Sequence, residues 1–158
     1  MISQSRYSLD MLRRFHMEEC KATPFPFLFG LRLEEGGSTP LVDNTHFRQL
    51  IGSLLYLTHS RPDISYAMSD VAKYMHKPHE MHWKVEKRIL HYVQGTRDYG
   101  IHYAANAQLD LIGFTYSNWV GHGNDRKSTS RFEFIIGPRP ISWSSKKQAT
   151  LPLSLAKA

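Results

Sequence analysis

The hydrophobic residues of this chain recur with two different periods, and the change between them falls near residue 99. Before that point, apolar positions return every three or four residues, which is typical of helices with one buried face. After it, apolar and polar positions alternate, which is typical of strands. The pattern predicts an α+β fold, with helices at 5–17, 45–58, 60–77 and 80–95 and strands at 99–104, 111–120, 131–137 and 140–146.

The predicted helices have residues suited to their first turns. Asn44 or Thr45 is placed to cap the helix at 45–58. Ser60 is placed to cap the following helix, with Pro62 in its first turn and Asp63 completing a pair that resembles a capping box. The predicted buried stripes are Phe47, Leu50, Ile51, Leu54 and Leu55; then Ile64, Ala67, Met68, Val71, Tyr74 and Met75; then Met81, Val85, Ile89 and Tyr92 or Val93.

Residues 20–44 show no sustained period and are punctuated by proline and glycine, so we expect a linker or extended loop. Four apolar residues in this stretch are expected to pin it to the body of the protein: Phe25, Phe27, Leu28 and Phe29. The chain organisation that follows is a short helix in 1–19, the linker 20–44, a three-helix region 45–105 and a β region 106–158.

A polar break separates two alternating strands between residues 113 and 136, which predicts a hairpin. Phe114, Tyr116 and Asn118 are expected on one face of the first strand, and Thr115, Ser117 and Trp119 on the other. These polar groups lie where an enzyme built on a sheet would place carboxylates that bind a metal ion.

The charge of the chain is basic, with 20 Lys and Arg against 14 Asp and Glu and a net charge of +6. A basic balance is compatible with a nucleic-acid partner, although a charged helix face is also an ordinary solvated surface. The candidate residues for contacts with phosphate are Arg13, Arg14, Lys84, Lys87, Arg88, Arg126 and Lys127.

Several other kinds of site are not supported. His76, His79 and His82 are spaced by three, but Pro78 interrupts the helix between them, so we expect no metal site. The lone cysteine excludes an intramolecular disulfide. No glycine-rich phosphate loop is present and no cofactor is expected. Neither a membrane span nor a secretory signal is visible, so no membrane partner is expected and the localisation is left unknown.

Several long blocks of the sequence resemble the Pol polyproteins of Ty1/copia retrotransposons. These blocks are FRQLIGSLLYLTHSRPDISYAM, HWKVEKRILHYVQGT, DRKSTS and ISWSSKKQ, in this order, after an opening ISQSRYSLDMLRRFHMEEC. The resemblance covers about residues 2–155. It implies a helical region like the thumb and connection of a reverse transcriptase up to about residue 105, followed by a truncated antiparallel sheet like that of RNase H.

The departures from the family pattern bear on catalysis. The family's RNase H strand carries acidic residues that hold Mg²⁺, whereas the matching positions here are Tyr116, Asn118 and His122. The family's catalytic glutamate position falls on Lys157, and no Tyr-x-Asp-Asp polymerase motif occurs. Because Mg²⁺ requires hard, mostly anionic oxygen ligands, the resemblance implies a chain that is not an enzyme.

Three functions remain in order of preference. The first is a catalytically inactive retrotransposon-derived fragment with weak, non-specific nucleic-acid binding. The alternative is a co-opted effector of the secreted RxLR type, because similar free-standing fragments carry that label; it would act on a host protein, in the host nucleus or cytoplasm, to suppress defence or cell death. No Arg-x-Leu-Arg tetrad occurs, and the nearest approach to one is Arg48-Gln49-Leu50-Ile51. The least favoured is RNase H activity supplied in trans.

Overall fold

The computed structural model describes residues 1–35, 39–104, 109–118 and 129–147 of the chain. It confirms the mixed α+β architecture, with helices in the first part and antiparallel strands in the second. The chain divides into two compact units, of which one is Ile2–Gly100 and the other comprises Met1 and Ile101–Ala158. Each unit has its own secondary structure, and they are described separately.

The first unit, called the helical unit below, contains four α-helices and a short pair of strands. Strand β1 (Ile2–Ser3) is hydrogen-bonded to β2 (Gly100–Ile101). The helices are α1 (Ser5–Arg14), α2 (Asn44–Leu57), α3 (Ser65–Val71) and α4 (Glu80–Gly95). The single helix predicted at 60–77 is wrong in detail, because 3₁₀ segments at Pro62–Ile64 and Ala72–Tyr74 flank a shorter α-helix. The strand predicted at 99–104 is limited to two residues.

One hydrophobic core holds the helical unit together, and it is built mainly from the predicted stripes of α2, α3 and α4. Leu55 is an exception, because it is exposed on the outer side of α2. Met11 and Leu12 of α1, near the start of the sequence, also belong to this core. The fully buried apolar side chains are Phe47, Leu50, Ile51, Leu54, Leu57, Ile64, Met68, Val71, Ile89 and Val93.

The caps of the helices differ from those predicted. The N-cap of α2 is Asp43, whose carboxylate accepts a hydrogen bond of 2.7 Å from the backbone N–H of His46. Asn44 and Thr45, the predicted caps, are instead the first helical residues. Ser60 caps no helix, because its hydroxyl donates to the side chain of Gln4 at 2.6 Å.

Asp63 belongs to a buried network rather than to a cap. Arg61 is 2% exposed and donates from Nε and Nη2 to the Asp63 carboxylate, with a shortest distance of 2.6 Å. The same guanidinium donates to the backbone carbonyl and the hydroxyl of Thr96, beyond the end of α4. Tyr92 donates its hydroxyl to Asp63 at 2.9 Å. The buried positive charge of Arg61 is tolerated because its guanidinium N–H groups donate to the Asp63 carboxylate and to Thr96.

The segment 20–35 is irregular, as the proline and glycine pattern predicted. Of the four apolar residues predicted to attach it to the body of the protein, three do not. Phe27 packs against the core and lies edge-on to Tyr66, with ring centroids 5.4 Å apart. Phe25, Leu28 and Phe29 are exposed, so the prediction was wrong for these three. The physical reason is a turn closed by the N–H of Leu31 and the carbonyl of Leu28, which places Phe29 at its tip.

The second unit contains a three-stranded antiparallel sheet in the order β3–β4–β5. Its strands are β3 (Leu111–Asn118), β4 (Thr129–Ile136) and β5 (Arg139–Lys147). The pairing of Leu111 with Ile136 and of Asn118 with Thr129 confirms the predicted hairpin between β3 and β4. The residues of its polar break, 121–125, lie outside the described part of the chain.

Both faces of this sheet expose large apolar side chains. Ile112, Phe114 and Tyr116 lie on one face of β3, where the strand alternation predicted the last two. Leu111 lies on the opposite face with Phe132 and Phe134 of β4. Among the described residues, no helix is long and apolar enough to cross a membrane.

Candidate nucleic-acid interface

The basic residues predicted to contact phosphate fall into two groups in the helical unit. Arg13 and Arg14 end α1 and are exposed, but the guanidinium of Arg13 forms an ion pair of 2.8 Å with Glu18. On α4, Lys84 is exposed and pairs with Glu80 at 2.9 Å. Two of the candidate charges are therefore partly compensated by a neighbouring carboxylate, which weakens the attraction these surfaces exert on phosphate.

Lys87 and Arg88 lie further along α4 in different surroundings. The ammonium of Lys87 is 5.5 Å from the ring centroid of Trp83, a cation–π contact on a tryptophan that also packs on the core. Arg88 is half-buried, and its Nε lacks a hydrogen-bond partner within the described residues. Arg126 and Lys127 lie outside the described part of the chain. Among the described candidates, the structure therefore groups only residues of the same helix: Arg13 with Arg14 on α1, and Lys84 with Lys87 and Arg88 on α4.

A third surface, which the sequence prediction missed and which contains one arginine, lies on the outer side of α2. Arg48, Gly52 and Tyr56 recur every fourth residue, so they lie along one face of the helix, and all three are exposed. We call these three residues the α2 face. Helix α2 contains no acidic residue, so no carboxylate of its own competes for the charge of Arg48.

Neighbouring groups fix the positions of the two functional side chains of the α2 face. Arg48 donates from Nε to the backbone carbonyl of Met75 at 3.1 Å, which holds its guanidinium beside the end of the second 3₁₀ segment. Tyr56 is 55% exposed and meets Tyr7 of α1 edge-to-face, with ring centroids 4.8 Å apart. Tyr7 in turn donates its hydroxyl to the carbonyl of Ser53 at 3.0 Å. The aromatic ring is thus held in place while much of its surface faces solvent.

Gly52, at the centre of the α2 face, leaves the helix backbone uncovered. A Cβ built at this position would meet no atom within 4 Å, so the space above it is open. A glycine inside a helix costs roughly 1 kcal/mol relative to alanine, and one of its uses is the close approach of a ligand to the backbone. A guanidinium and an aromatic ring flanking an open step can bind a phosphate and stack on a sugar or base.

The sequence did contain a signal for this surface. The buried stripe of α2 was predicted from Phe47, Leu50, Ile51, Leu54 and Leu55, of which Leu55 is exposed, and the opposite face then follows from the helical period. That face carries a basic residue, a glycine and an exposed aromatic residue, and no carboxylate. A search for clusters of lysine and arginine does not detect this pattern.

The positions that match catalytic carboxylates of the family are only partly described. Tyr116 lies in β3 with its ring exposed, and the guanidinium carbon of Arg131 is 5.7 Å from the ring centroid. Asn118 is the last residue of β3 and pairs with Thr129. His122 and Lys157 lie outside the described residues. Within the ranges that the structure describes, no three His, Cys, Asp or Glu side chains are grouped as a metal would require.

Glu86 lies on the inner side of α4 and was not predicted to be buried. It is completely buried, and neither carboxylate oxygen has a hydrogen-bond partner among the described residues. Desolvation raises the pKa of Glu86 to about 9, so the side chain is neutral at pH 7. The net positive charge of the helical unit at neutral pH is accordingly one unit higher than a count of carboxylates suggests.

The chain is similar to Pol polyproteins of plant transposons. It is 40% identical over 157 residues to the retrovirus-related Pol polyprotein from transposon RE2 of Arabidopsis thaliana, which covers 99% of this chain but 11% of that polyprotein. An uncharacterized mitochondrial protein of Arabidopsis thaliana is 38% identical over 97% of this chain and 63% of its own length. The secreted RxLR effector protein 161 of Plasmopara viticola is 33% identical over 70% of this chain and 79% of that protein. No protein-family model matches, and no solved structure matches.

Proposed function

Because the chain belongs to the Ty1/copia class of retrotransposon Pol polyproteins, we propose that it binds nucleic acid weakly, without sequence preference and without catalysis. It spans about a tenth of the polyproteins that it matches, 11% of the RE2 relative, so their full set of activities is not assigned to it. The proposal concerns what the helical unit and the β3–β5 sheet do with their own residues.

The α2 face is the observation that carries the binding proposal. Phosphate attracts an arginine whose charge has no competing carboxylate more strongly than one already paired, as Arg13 and Lys84 are. Tyr56 offers an exposed ring for stacking, which every base or sugar accepts. Gly52 lets a sugar–phosphate backbone approach the helix. Because these contacts read phosphate and shape rather than base edges, the binding is independent of sequence.

The proposed lack of catalysis rests on ligand chemistry. Two-metal hydrolysis requires anionic oxygens that clamp Mg²⁺. Tyr116 supplies a phenol at one matching position, and Asn118 supplies an amide at the next. Substituting these neutral groups for carboxylates removes the charge that holds the ions. A trans-acting RNase H is therefore the least supported reading.

Binding is tested by fluorescence anisotropy of a labelled duplex at a series of salt concentrations. We expect affinity to fall linearly on a log–log plot against salt. Arg48→Glu is expected to weaken binding by roughly tenfold and to lower the salt slope by about one phosphate contact. Arg97→Glu is the matched control, because it makes the same change in net charge at an exposed arginine beside Asp98.

Two outcomes would count against the binding proposal. The first is an absence of binding at low salt. The second is an equal loss of affinity in the Arg48→Glu and Arg97→Glu variants, which would mean that net charge alone sets the affinity and that the α2 face has no special part.

A second candidate function is that of a co-opted effector acting on a host protein. The similarity to the RxLR effector protein of Plasmopara viticola, which spans 79% of that protein, favours it. The exposed residues Phe25, Leu28 and Phe29 offer an apolar surface suited to a protein contact. Expression in plant cells with a cell-death readout tests it, and suppression of cell death that is lost on Phe29→Ser would support it.

A further inference from the structure

Backbone contacts hold Pro40, Leu41 and Val42 against the start of α4. Val42 donates its N–H to the carbonyl of Pro78 at 3.1 Å, and Glu80 donates its N–H to the carbonyl of Pro40 at 2.9 Å. Leu41 and His79 form an antiparallel bridge. Residues 39–42 are therefore docked on the start of the helix. Together with residues 33–35, they are called the docked segment below.

Two histidines of α4 and its cap add side-chain bonds to the docked segment. His82 donates from Nε2 to the carbonyl of Glu34 at 3.1 Å, and His79 bonds from Nδ1 to the carbonyl of Thr39 at 2.6 Å. Tyr74 donates its hydroxyl to the carbonyl of Leu33 at 2.7 Å. The carbonyl groups of the segment thus find their donors on side chains of the helical core.

The bonds of His82 require one particular protonation state. Its Nδ1 accepts the backbone N–H of His79 at 3.0 Å, which caps the first turn of α4, while its Nε2 carries the hydrogen donated to Glu34. The ring is completely buried and stacks on Tyr74, with centroids 3.9 Å apart. A second proton on Nδ1 would face the N–H of His79 and remove the cap.

We propose that His82 and His79 form a pH-sensitive clasp, in which protonation of His82 releases the docked segment from α4. This inference is independent of the proposed nucleic-acid binding. Release exposes the His82 ring to water, where both of its nitrogens can donate. It also frees the segment that follows the exposed turn at Phe29, so it changes the apolar surface of the helical unit.

The groups around His82 do not compensate a positive charge on its ring. His79 lies with its ring edge-on, 5.9 Å away between centroids, and would repel a second imidazolium. Tyr74 presents the face of a neutral ring. Glu86, one turn further along α4, is neutral because its pKa is raised to about 9. Glu34 contributes its carbonyl to the contact, while the residue itself is exposed. No ion pair among the described residues includes His82.

The direction of the pH response follows from burial. Desolvation lowers the pKa of His82 below its ordinary value of 6.5, and the neighbouring His79 lowers it further, against an opposite effect of the bond to Glu34. The contribution of His82 to the docked state is therefore fully present above pH 6.5. As the pH falls below this value, the released state takes up a proton that the docked state refuses, so the opening constant rises by at most about tenfold per pH unit.

If release of the docked segment exposes Glu86 to water, Glu86 changes the opening constant with pH in the direction opposite to that of His82. Its raised pKa means that the docked state holds a proton that a hydrated carboxyl would lose, so its contribution favours opening as the pH rises. Glu86→Gln removes that contribution while keeping the size of the side chain. The response of His82 is therefore measured both in the unmodified chain and in the Glu86→Gln background.

Amide hydrogen exchange of the full chain, followed by NMR between pH 7.5 and 5.0, tests the clasp. The amides of His79, Val42 and Glu80 report on the docked segment, and the Leu54 amide within α2 is the internal reference. After correction for intrinsic exchange, we expect the opening constants of the reporting amides to rise as the pH falls from 6 to 5 in the Glu86→Gln background, by less than about tenfold, with the reference unchanged.

Variants of two histidines separate the clasp from a general effect of acid. His82→Phe keeps a ring to stack on Tyr74 but cannot titrate, so we expect weaker protection at every pH and no rise on acidification. His91→Phe is the matched control, because His91 is also on α4 and bonds to a loop carbonyl, that of Lys21. It is expected to retain the full pH response of the reporting amides.

Three results would overturn the proposal. Opening constants that are flat with pH in the Glu86→Gln background would do so, as would a rise on acidification that persists when His82→Phe is added to that background. If His82→Phe does not fold, the ring nitrogens of His82 in the unmodified chain are followed by ¹⁵N NMR. A midpoint at or above the ordinary value for histidine would then contradict the clasp, whereas a neutral Nε2–H ring that titrates below it would support the clasp.

Discussion

At the scale of single residues, Arg61 joins the start of the α3 region to the end of α4. Its guanidinium donates to Asp63 and to both oxygens of Thr96, and it lies 5.6 Å from the ring centroid of Tyr92. Arg61→Met leaves Asp63 and the Thr96 carbonyl without these donors. We expect a loss of about 3 kcal/mol in the free energy of unfolding, at the low end for a buried ion pair because Asp63 is partly exposed.

Urea denaturation measures this effect. Arg61→Lys is expected to recover little of the lost stability, because an ammonium cannot reproduce the planar, bidentate geometry. Arg97→Met serves as control, since the pair of Arg97 with Asp98 at 3.7 Å is exposed and contributes at most about 1 kcal/mol. Equal losses in the Arg61 and Arg97 variants would contradict the assigned role of the buried network.

Glu86 predicts an unusual dependence of stability on pH. Its folded pKa, about 9, lies above its ordinary value of 4.5, so its contribution to stability is fully present below pH 4.5 and is lost as the pH rises toward 9. Between pH 4.5 and 7 the loss is on the order of 3 kcal/mol. Glu86→Met, which removes the carboxyl and keeps an apolar side chain of similar size, is expected to abolish this slope and to raise stability at pH 8.

The measurement is urea denaturation of the unmodified chain and of Glu86→Met at several pH values from 5 to 8. Glu80→Gln, which changes an exposed carboxyl of the same helix, is expected to keep the slope of the unmodified chain. Identical slopes with and without Glu86 would show that the carboxyl does not titrate in the core.

The single-residue features were the hardest to predict from the sequence. Arg61 and Glu86 belong to residue types that are rarely buried without a partner, so their types suggested the surface. The positions of Arg61 and His82 are decided by distant partners: Arg61 donates to Thr96, 35 residues away, and His82 donates to Glu34, 48 residues away. Such contacts depend on the packing of whole helices, which periodicity alone does not supply.

At the scale of elements, α2 has a glycine in its interior that serves no packing purpose in the helical unit. Because a Cβ at Gly52 meets nothing within 4 Å, we expect Gly52→Ala to raise the free energy of unfolding by roughly 0.5–1 kcal/mol. Thermal denaturation followed by circular dichroism measures the change. Gly95→Ala is the contrast, since its Cβ would lie 2.7 Å from the Cβ of Ala22 and is expected to destabilise. A loss of stability on Gly52→Ala would mean that the α2 face is already covered.

Elements with a sustained period were predicted well, and interrupted ones were not. Helices α2 and α4 and the hairpin β3–β4 agree with prediction because their apolar positions persist over many residues. The region 60–77 changes to 3₁₀ geometry at Ala72–Tyr74, shortly before Pro78. A proline disfavours the α conformation in the residue before it, so the helix had to end in this neighbourhood. The resulting division into a 3₁₀ segment, an α-helix and a second 3₁₀ segment cannot be detected in a three- or four-residue period.

At the scale of the whole molecule, the helical unit has a core of its own. Every buried residue of its hydrophobic cluster lies between Met11 and Val93. We therefore expect residues 1–100, expressed alone, to retain helical circular dichroism and to unfold cooperatively at nearly the same temperature as the full chain. The same fragment with Leu54→Ala in the centre of the core is the control and is expected to lose several kcal/mol. A fragment that is unfolded, or that melts without cooperativity, would contradict this independence.

We propose that this member of the retrotransposon Pol family holds nucleic acid without cutting it. The most direct test incubates the full chain at low salt with an RNA–DNA hybrid labelled on the RNA strand, in the presence of Mg²⁺ or Mn²⁺. Half of each sample is then run on a native gel and half on a denaturing gel. We predict a retarded hybrid on the native gel and an intact RNA strand on the denaturing gel. A shortened RNA strand that requires the metal ion, or a hybrid that is never retarded, would contradict the account.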